Sequence, residues 1–198
     1  MKIKRILAGV CSFALLASSV LSLGSCSTGK KDKYVVGISQ LVTHPALDAA
    51  TEGFKKALIE KLGEDKVEFV YQNAANQPDV CATIANGFVS SKVDLIMANG
   101  TAALQAAANA TLDIPILGTS ITEYGVALEI DNFTGTVGGN ISGTSDLAPL
   151  DEQAQMIIDL VPEAKTVGLL YCSAEPNSAY QVAEVRKYLE GKGLTCKD

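Results

Sequence analysis

The chain has 198 residues, a net charge of −6 and a hydrophobic fraction of 47%. This is ample apolar material for one ordinary domain and a piece of a second. The acidic balance and the lack of a Lys/Arg stripe exclude a nucleic-acid binder, which needs a basic footprint. The short run Lys30, Lys31 and Lys33 reads as a solvated linker.

Lys2, Lys4 and Arg5 precede an apolar run over residues 6–20, and Leu23-Gly24-Ser25-Cys26 follows. A charged start, an apolar stretch and a small-residue processing site make residues 1–25 an export signal outside the fold. The cysteine after the small pair matches a bacterial lipoprotein box, so Cys26 is the expected lipidation site and the start of the mature chain. The apolar run falls short of the ~20 residues a membrane-spanning helix needs. One covalent anchor implies a protein tethered to the outer face of the bacterial membrane, or its periplasmic side, and otherwise soluble. Residues 26–33, rich in Ser, Thr, Gly and Lys, read as a flexible tether.

Beyond the tether the pattern alternates. Residues 34–39 are a short β-branched apolar run and predict a strand. Leu47, Ala50, Phe54, Leu58 and Leu62 recur at helical spacing, opened by Pro45 and stopped by Gly63. Residues 67–71 predict a second strand. Residues 78–91 predict a helix with Val80, Cys81, Ile84 and Phe88 inward. Residues 94–98 predict a third strand, 101–111 an alanine-rich helix, and 115–119 a fourth strand. Regular β-α alternation with short loops implies a parallel sheet covered on both faces.

Residues 123–147 are rich in Gly, Thr, Ser and Asn and hold one predicted strand, 127–131. A helix from Pro149 to about Val161 follows, with Ala154, Ile157, Ile158 and Val161 on one apolar face, then a buried strand over 166–171, a helix over 177–191, and the opening of a strand at 194–196. The reading is an α/β lobe with its crossover over 34–145 and an incomplete second α/β lobe over 146–198, a fragment of a longer two-lobed protein.

In an open parallel sheet, ligands lie beyond the carboxyl ends of the strands. That rule selects the loops over residues 39–44, 72–76, 99–102 and 119–122, and over 172–178 in the second lobe. Asn99-Gly100-Thr101 is the most informative: a strand ends, glycine lets the backbone approach, and a helix begins whose N–H groups suit a carboxylate. On local sequence Thr101 also reads as a plain helix cap, a common role for threonine. His44, the single histidine, reads as a ligand donor or as a solvent-facing residue at the helix start. Asp48 fits a dipole-compensating carboxylate and Asp146 a turn or capping aspartate.

No catalytic constellation emerges. There is no nucleophile-elbow pattern, no phosphate-loop lysine or GxGxxG after a strand, and no His/Cys/Asp cluster at metal-ligand spacing. Cys81, Cys172 and Cys196 have no CxxC spacing, so neither a zinc site nor a disulfide framework is predicted. The expectation is a non-enzyme without cofactor or metal.

Gly37-Ile-Ser-Gln40, His44-Pro-Ala-Leu-Asp48, Gly53-Phe54, Thr101-Ala102, Gly139-Asn-Ile-Ser-Gly-Thr-Ser-Asp146 and Glu175-Pro-Asn-Ser178, in this order, resemble the ABC transporter substrate-binding lipoproteins of the tryptophan/tyrosine-binding type. The resemblance runs from about Tyr34 to the end. It implies a type I periplasmic-binding-protein fold, a small ligand such as an amino acid, and a membrane permease as partner. It places Gln40 and His44 on the first-lobe wall, and Thr101 and Ala102 on the ligand carboxylate. Ser145, Asp146, Glu175, Asn177 and Ser178 face them from the hinge or second lobe, and the strand-end rule adds Ser120 and Thr122 to the expected site. Thr122-Glu123-Tyr124-Gly125 stands where the family has an aspartate-proline turn. A sugar or signal-molecule binder of the same fold is the alternative, as is a sensory module. The lack of Trp and scarcity of aromatic residues in the loops favour the amino acid.

Overall fold

Residues 34–40 extend because Val35, Val36 and Ile38 are β-branched and both faces of the strand they form are buried. This strand, β1 (Tyr34–Gln40), opens the order β1, α1 (Pro45–Leu62), β2 (Val67–Asn73), α2 (Pro78–Ser90), β3 (Leu95–Asn99), α3 (Thr101–Ala110) and β4 (Ile116–Ile121). There follow the single turn α4 (Tyr124–Ala127), β5 (Ile141–Ser145), α5 (Leu150–Leu160), β6 (Thr166–Gly168), α6 (Pro176–Gly191) and β7 (Thr195–Lys197). The computed structural model describes residues 32–198. The export signal, Cys26 and most of the tether lie outside the described residues.

The first sheet has five parallel strands in the order β2-β1-β3-β4-β5. A second, two-stranded parallel sheet pairs β6 with β7. The chain turns back from β2 to cross β1 and continue at β3, so the topological switch point lies between β1 and β3. Their last paired residues are Gln40 and Asn99.

Helices cover the first sheet on both faces. On one, α2 and α3 bury Cys81, Ile84, Phe88, Ala103, Leu104 and Ala107. Gly37 makes this close: a Cβ there would stand 2.7 Å from the Phe88 ring. Burying a side chain such as Phe88 contributes about 1.5–3 kcal/mol. On the other face Phe54 and Leu58 of α1 pack on Val36, Ile38, Val67 and Met97. Pro45 opens α1, and Gly63 closes it at φ 98° with its N–H on the Ile59 carbonyl.

Three expectations need correction. Residues 127–131 are not a strand. The Glu123 carboxylate caps α4 by accepting from the Gly125 and Val126 N–H groups at 3.0 and 2.6 Å. Ala127 then enters the core, and Glu129 turns at φ 53°. The fifth strand is Ile141–Ser145, an edge strand with four exposed residues, which explains why no apolar run announced it. Residues 166–171 are not one buried strand: β6 ends at Gly168 and Leu170 is fully exposed. The helix face that was to bury Val161 leaves it 54% exposed.

Candidate functional site

The switch point is built from buried polar side chains. Gln40 and Asn99 end β1 and β3 with no exposure. Gln40 Nε2 donates to the Val42 carbonyl at 2.9 Å and to Asp48 Oδ1 at 2.6 Å. Asn99 Nδ2 donates to the Leu47 carbonyl at 2.8 Å and to Thr51 Oγ1 at 3.0 Å. Beyond these ends the chain diverges, and a cavity of about 520 Å³ opens. That size suits a small molecule.

Gly100 sits at φ 105°, ψ 152°, a conformation open essentially to glycine alone. It is the N-cap of α3 and has no side chain to offer, so nothing caps the first turn. Thr101 is therefore the first helical residue and not a cap, which removes one of its two sequence readings. Gly100, Thr101, Ala102 and Gln105 line the cavity. The uncapped N–H groups and the positive end of the helix dipole there favour an anion.

His44 is the N-cap of α1. Its Nδ1 accepts from the Ala46 N–H at 3.2 Å, which leaves Nε2 to carry a proton as a donor. It lines the cavity beside Leu41, Val42 and Leu47. Across from them stand Ser120, Thr122 and Asp146, and residues 174–177 at the start of α6. Ser120 has φ 54°, at a register irregularity between β4 and β5, so the strand end is re-aimed there. The Asp146 N–H donates to the Ile121 carbonyl at 3.0 Å, which fixes the carboxylate-bearing residue to the end of β4.

The cavity thus gathers His44, Thr101, Ala102, Ser120, Thr122, Asp146, Glu175 and Asn177. It does not gather three residues the sequence placed with them. Gln40 is turned behind the wall toward α1. Ser145 Oγ donates to the Thr122 carbonyl at 2.8 Å and accepts from the Leu147 N–H, so it ties two loops. Ser178 Oγ donates to Glu175 Oε2 at 2.9 Å and orients that carboxylate. Sequence reasoning did not select Leu47, Pro78 and Gln105, which line the cavity from the first two turns of their helices. The signal was available: side chains of the opening turns after each strand point into the same crevice.

Besides His44, the ionisable lining is Asp146 and Glu175, and it holds no Lys or Arg. Tyr124, the main aromatic residue near the selected loops, packs instead in the core, and its hydroxyl donates to the Thr144 carbonyl at 3.2 Å. Burial, and secondarily the Asp146 carboxylate, pushes its phenol up to about 12. Burial also raises the Cys81 thiol, which disfavours the reactive thiolate. Among the described residues no group of His, Cys, Asp and Glu is placed to hold a metal ion.

An uncapped helix start facing carboxylates across a switch-point crevice is the arrangement of a binding protein, and the chain belongs to the ABC transporter substrate binding protein family, whose profile matches residues 35–198. A tyrosine-binding protein of Clostridioides difficile (strain R20291) is 40% identical over 194 residues, covering 92% of this chain and 55% of that protein. The structure of an ABC domain in complex with L-Trp from Streptococcus pneumonia superposes with a TM-score of 0.76 at 34% identity, over 83% of this chain and 56% of that one. A ligand-free, open substrate-binding protein with adhesive properties from Clostridium difficile gives 0.62 at 39% identity, with the same coverage. The chain spans about half the length of these relatives. The fold is the type I periplasmic-binding-protein architecture the resemblance implied.

Proposed function

We propose that the protein captures an α-amino acid with a large apolar side chain for an ABC importer. The observation that carries this is one cavity whose lining joins the uncapped start of α3 to the carboxylates of Asp146 and Glu175. The ligand carboxylate takes the N–H groups of Thr101 and Ala102 and the Thr101 hydroxyl. The ammonium takes Asp146 or Glu175, and Asn177, His44, Ser120 and Thr122 supply further polar contacts. Leu41, Leu47, Pro78 and Pro176 form an apolar slot for the side chain. A cavity with acids but no Lys or Arg favours a zwitterion over a simple anion. The lining has no aromatic platform of the kind that suits a sugar. The tyrosine and tryptophan named for the relatives fit the slot's apolar character.

The proposed mechanism is closure of two lobes, with a boundary at residues 145 and 146, and presentation of the closed form to a membrane permease. No reaction is required of the site. Cys26 carries the lipid that holds the protein at the outer face of the membrane; among the described residues no helix is long and apolar enough to cross it. Cys26→Ser is expected to release the protein from membranes and abolish acyl labelling.

The chain contains no Trp, so the indole fluorescence of added L-tryptophan is observed without background. Titration with L-tryptophan, and calorimetry with L-tyrosine, are expected to show saturable binding that the corresponding amino-acid amides lack. Binding of a sugar panel with no response to any amino acid would replace this reading.

A further inference from the structure

Gln40 lies one layer behind the cavity wall, and its partners form a continuous relay. Its Oε1 accepts from Thr51 Oγ1 at 2.7 Å, while its Nε2 donates to the Val42 carbonyl and to Asp48. Thr51 Oγ1 in turn accepts from Asn99 Nδ2, which also donates to the Leu47 carbonyl. The directions are fixed. The Thr51 hydroxyl has one proton and gives it to Gln40, so Asn99 must present its NH₂. Turning either amide over would set donor against donor or acceptor against acceptor.

The relay spans from the ends of β1 and β3 to the opening turns of α1, and the segment it brackets, residues 41–47, is the His44 side of the cavity. At its start Leu41 is held by its N–H on the Asn99 carbonyl and by the Asn76 N–H on its own carbonyl, and Thr43 Oγ1 accepts from Asn73 Nδ2 at 3.2 Å. The turn from His44 to Leu47 meets the relay through the Leu47 carbonyl. The apolar contacts of α1 with the sheet come from Phe54 and Leu58, farther along the helix. Thr51 is the one residue of α1 that is fully buried. Apolar packing tolerates sliding, whereas buried hydrogen bonds are directional and costly to break. The middle of α1 is thus held by packing and its start by the relay.

We infer that Gln40, Thr51 and Asn99 are positioning residues that set where the His44–Leu47 wall stands, and so the width of the slot for the ligand side chain. None of the three lines the cavity. The inference rests on the amino-acid reading for its effect on binding, but not for its effect on the wall.

Thr51→Val keeps the shape and removes the hydroxyl, which cuts the relay at its middle; Thr51→Ser restores it. His44 is the chain's single histidine, so its imidazole NMR signals report the wall without any ligand. In the Val variant the His44 signals are expected to shift or broaden while methyl signals of Ile84 and Leu104, on the opposite face of the sheet, hold. Affinity for L-tyrosine and L-tryptophan is expected to fall about tenfold, as when one buried polar pair is lost. The ratio of the two affinities is also expected to change, and Thr51→Ser to recover both. Should the Val variant fail to fold, Thr51→Ala carries the same readouts, its higher helix propensity offsetting part of the loss. A lower melting temperature with unmoved His44 signals and an unchanged affinity ratio would reduce the relay to a fold stabiliser and overturn the inference. If the wild type binds neither amino acid, the functional reading falls, and His44 alone decides: moved signals support the relay, unmoved signals overturn it.

Discussion

Thr101 separates binding from folding more cleanly than any other residue of the site. Because Gly100 is the cap and Thr101 the first helical residue, its hydroxyl is not spent on closing the helix. Thr101→Val keeps the shape, and its melting temperature is expected to stay within the small range of a substitution that breaks no cap or core contact. Affinity for an amino acid should fall by about 1–3 kcal/mol, the range for a hydrogen bond to a charged group. The amide of the same amino acid, already weak on the wild type, should lose less. Calorimetry with acid and amide forms on both proteins measures this; equal binding of the two by the wild type would remove the carboxylate role. Side-chain identity announced this residue and His44 because helix starts beside strand ends are local features. Gln40 was legible as a residue near the site but not in its direction: whether a strand-end side chain faces the crevice or the neighbouring helix depends on Thr51 and Asn99, far away in sequence.

At the scale of elements, β1 to β4 and their helices were legible because each buries a short run of apolar residues at its own period. β5 was not, since Ile141-Ser-Gly-Thr-Ser is a polar edge strand recruited by register with β4. What fastens it is Tyr124 on α4, whose hydroxyl reaches the Thr144 carbonyl. Gly118 and Gly143 face each other in the pairing of β4 with β5 and leave the room for that hydroxyl; a Cβ on Gly143 would collide with it and with the Gly118 carbonyl. The raised phenol has a consequence for alkaline stability. Below pH 10.0, the ordinary value, folded and unfolded chains both hold the proton. Between there and about 12 the unfolded chain has lost it and the folded chain keeps it. Folding then weakens as pH rises, by about 1.4 kcal/mol per unit for this group, and the stability it contributes is intact below the window. Tyr124→Phe should cost about 0.5–1.5 kcal/mol near neutrality for the lost hydrogen bond. It should also flatten the decline above pH 10.0 relative to wild type. Urea unfolding at neutral and alkaline pH tests both; parallel curves for the two proteins would refute the assignment.

For the whole molecule, the decisive fact is that the cavity draws its wall from two sheets' worth of structure. The segments after β1, β2, β3 and β4 meet residues 174–177, which lead from the two-stranded sheet into α6. A ligand held only by the first set would leave the second free, and the carboxylates of Asp146 and Glu175 would face water with no partner ammonium. If capture works by closure, bound amino acid must order both sides together, since each contributes contacts the other lacks. Hydrogen exchange reads this directly. With saturating L-tyrosine or L-tryptophan, slowed exchange is expected at the amides of Thr101 and Ala102 and, in the same titration, at Asn177 and Ser178. The amides at the start of β2, Val67–Phe69, at the end of the strand away from the cavity, serve as the internal control. Protection confined to the start of α3 would mean that the ligand docks on one lobe without closure. Protection spread evenly to β2 would indicate general stabilisation by binding and not a hinge. Joint protection of the two patches, at ligand concentrations that match the calorimetric affinity, is the outcome that two-lobed capture requires.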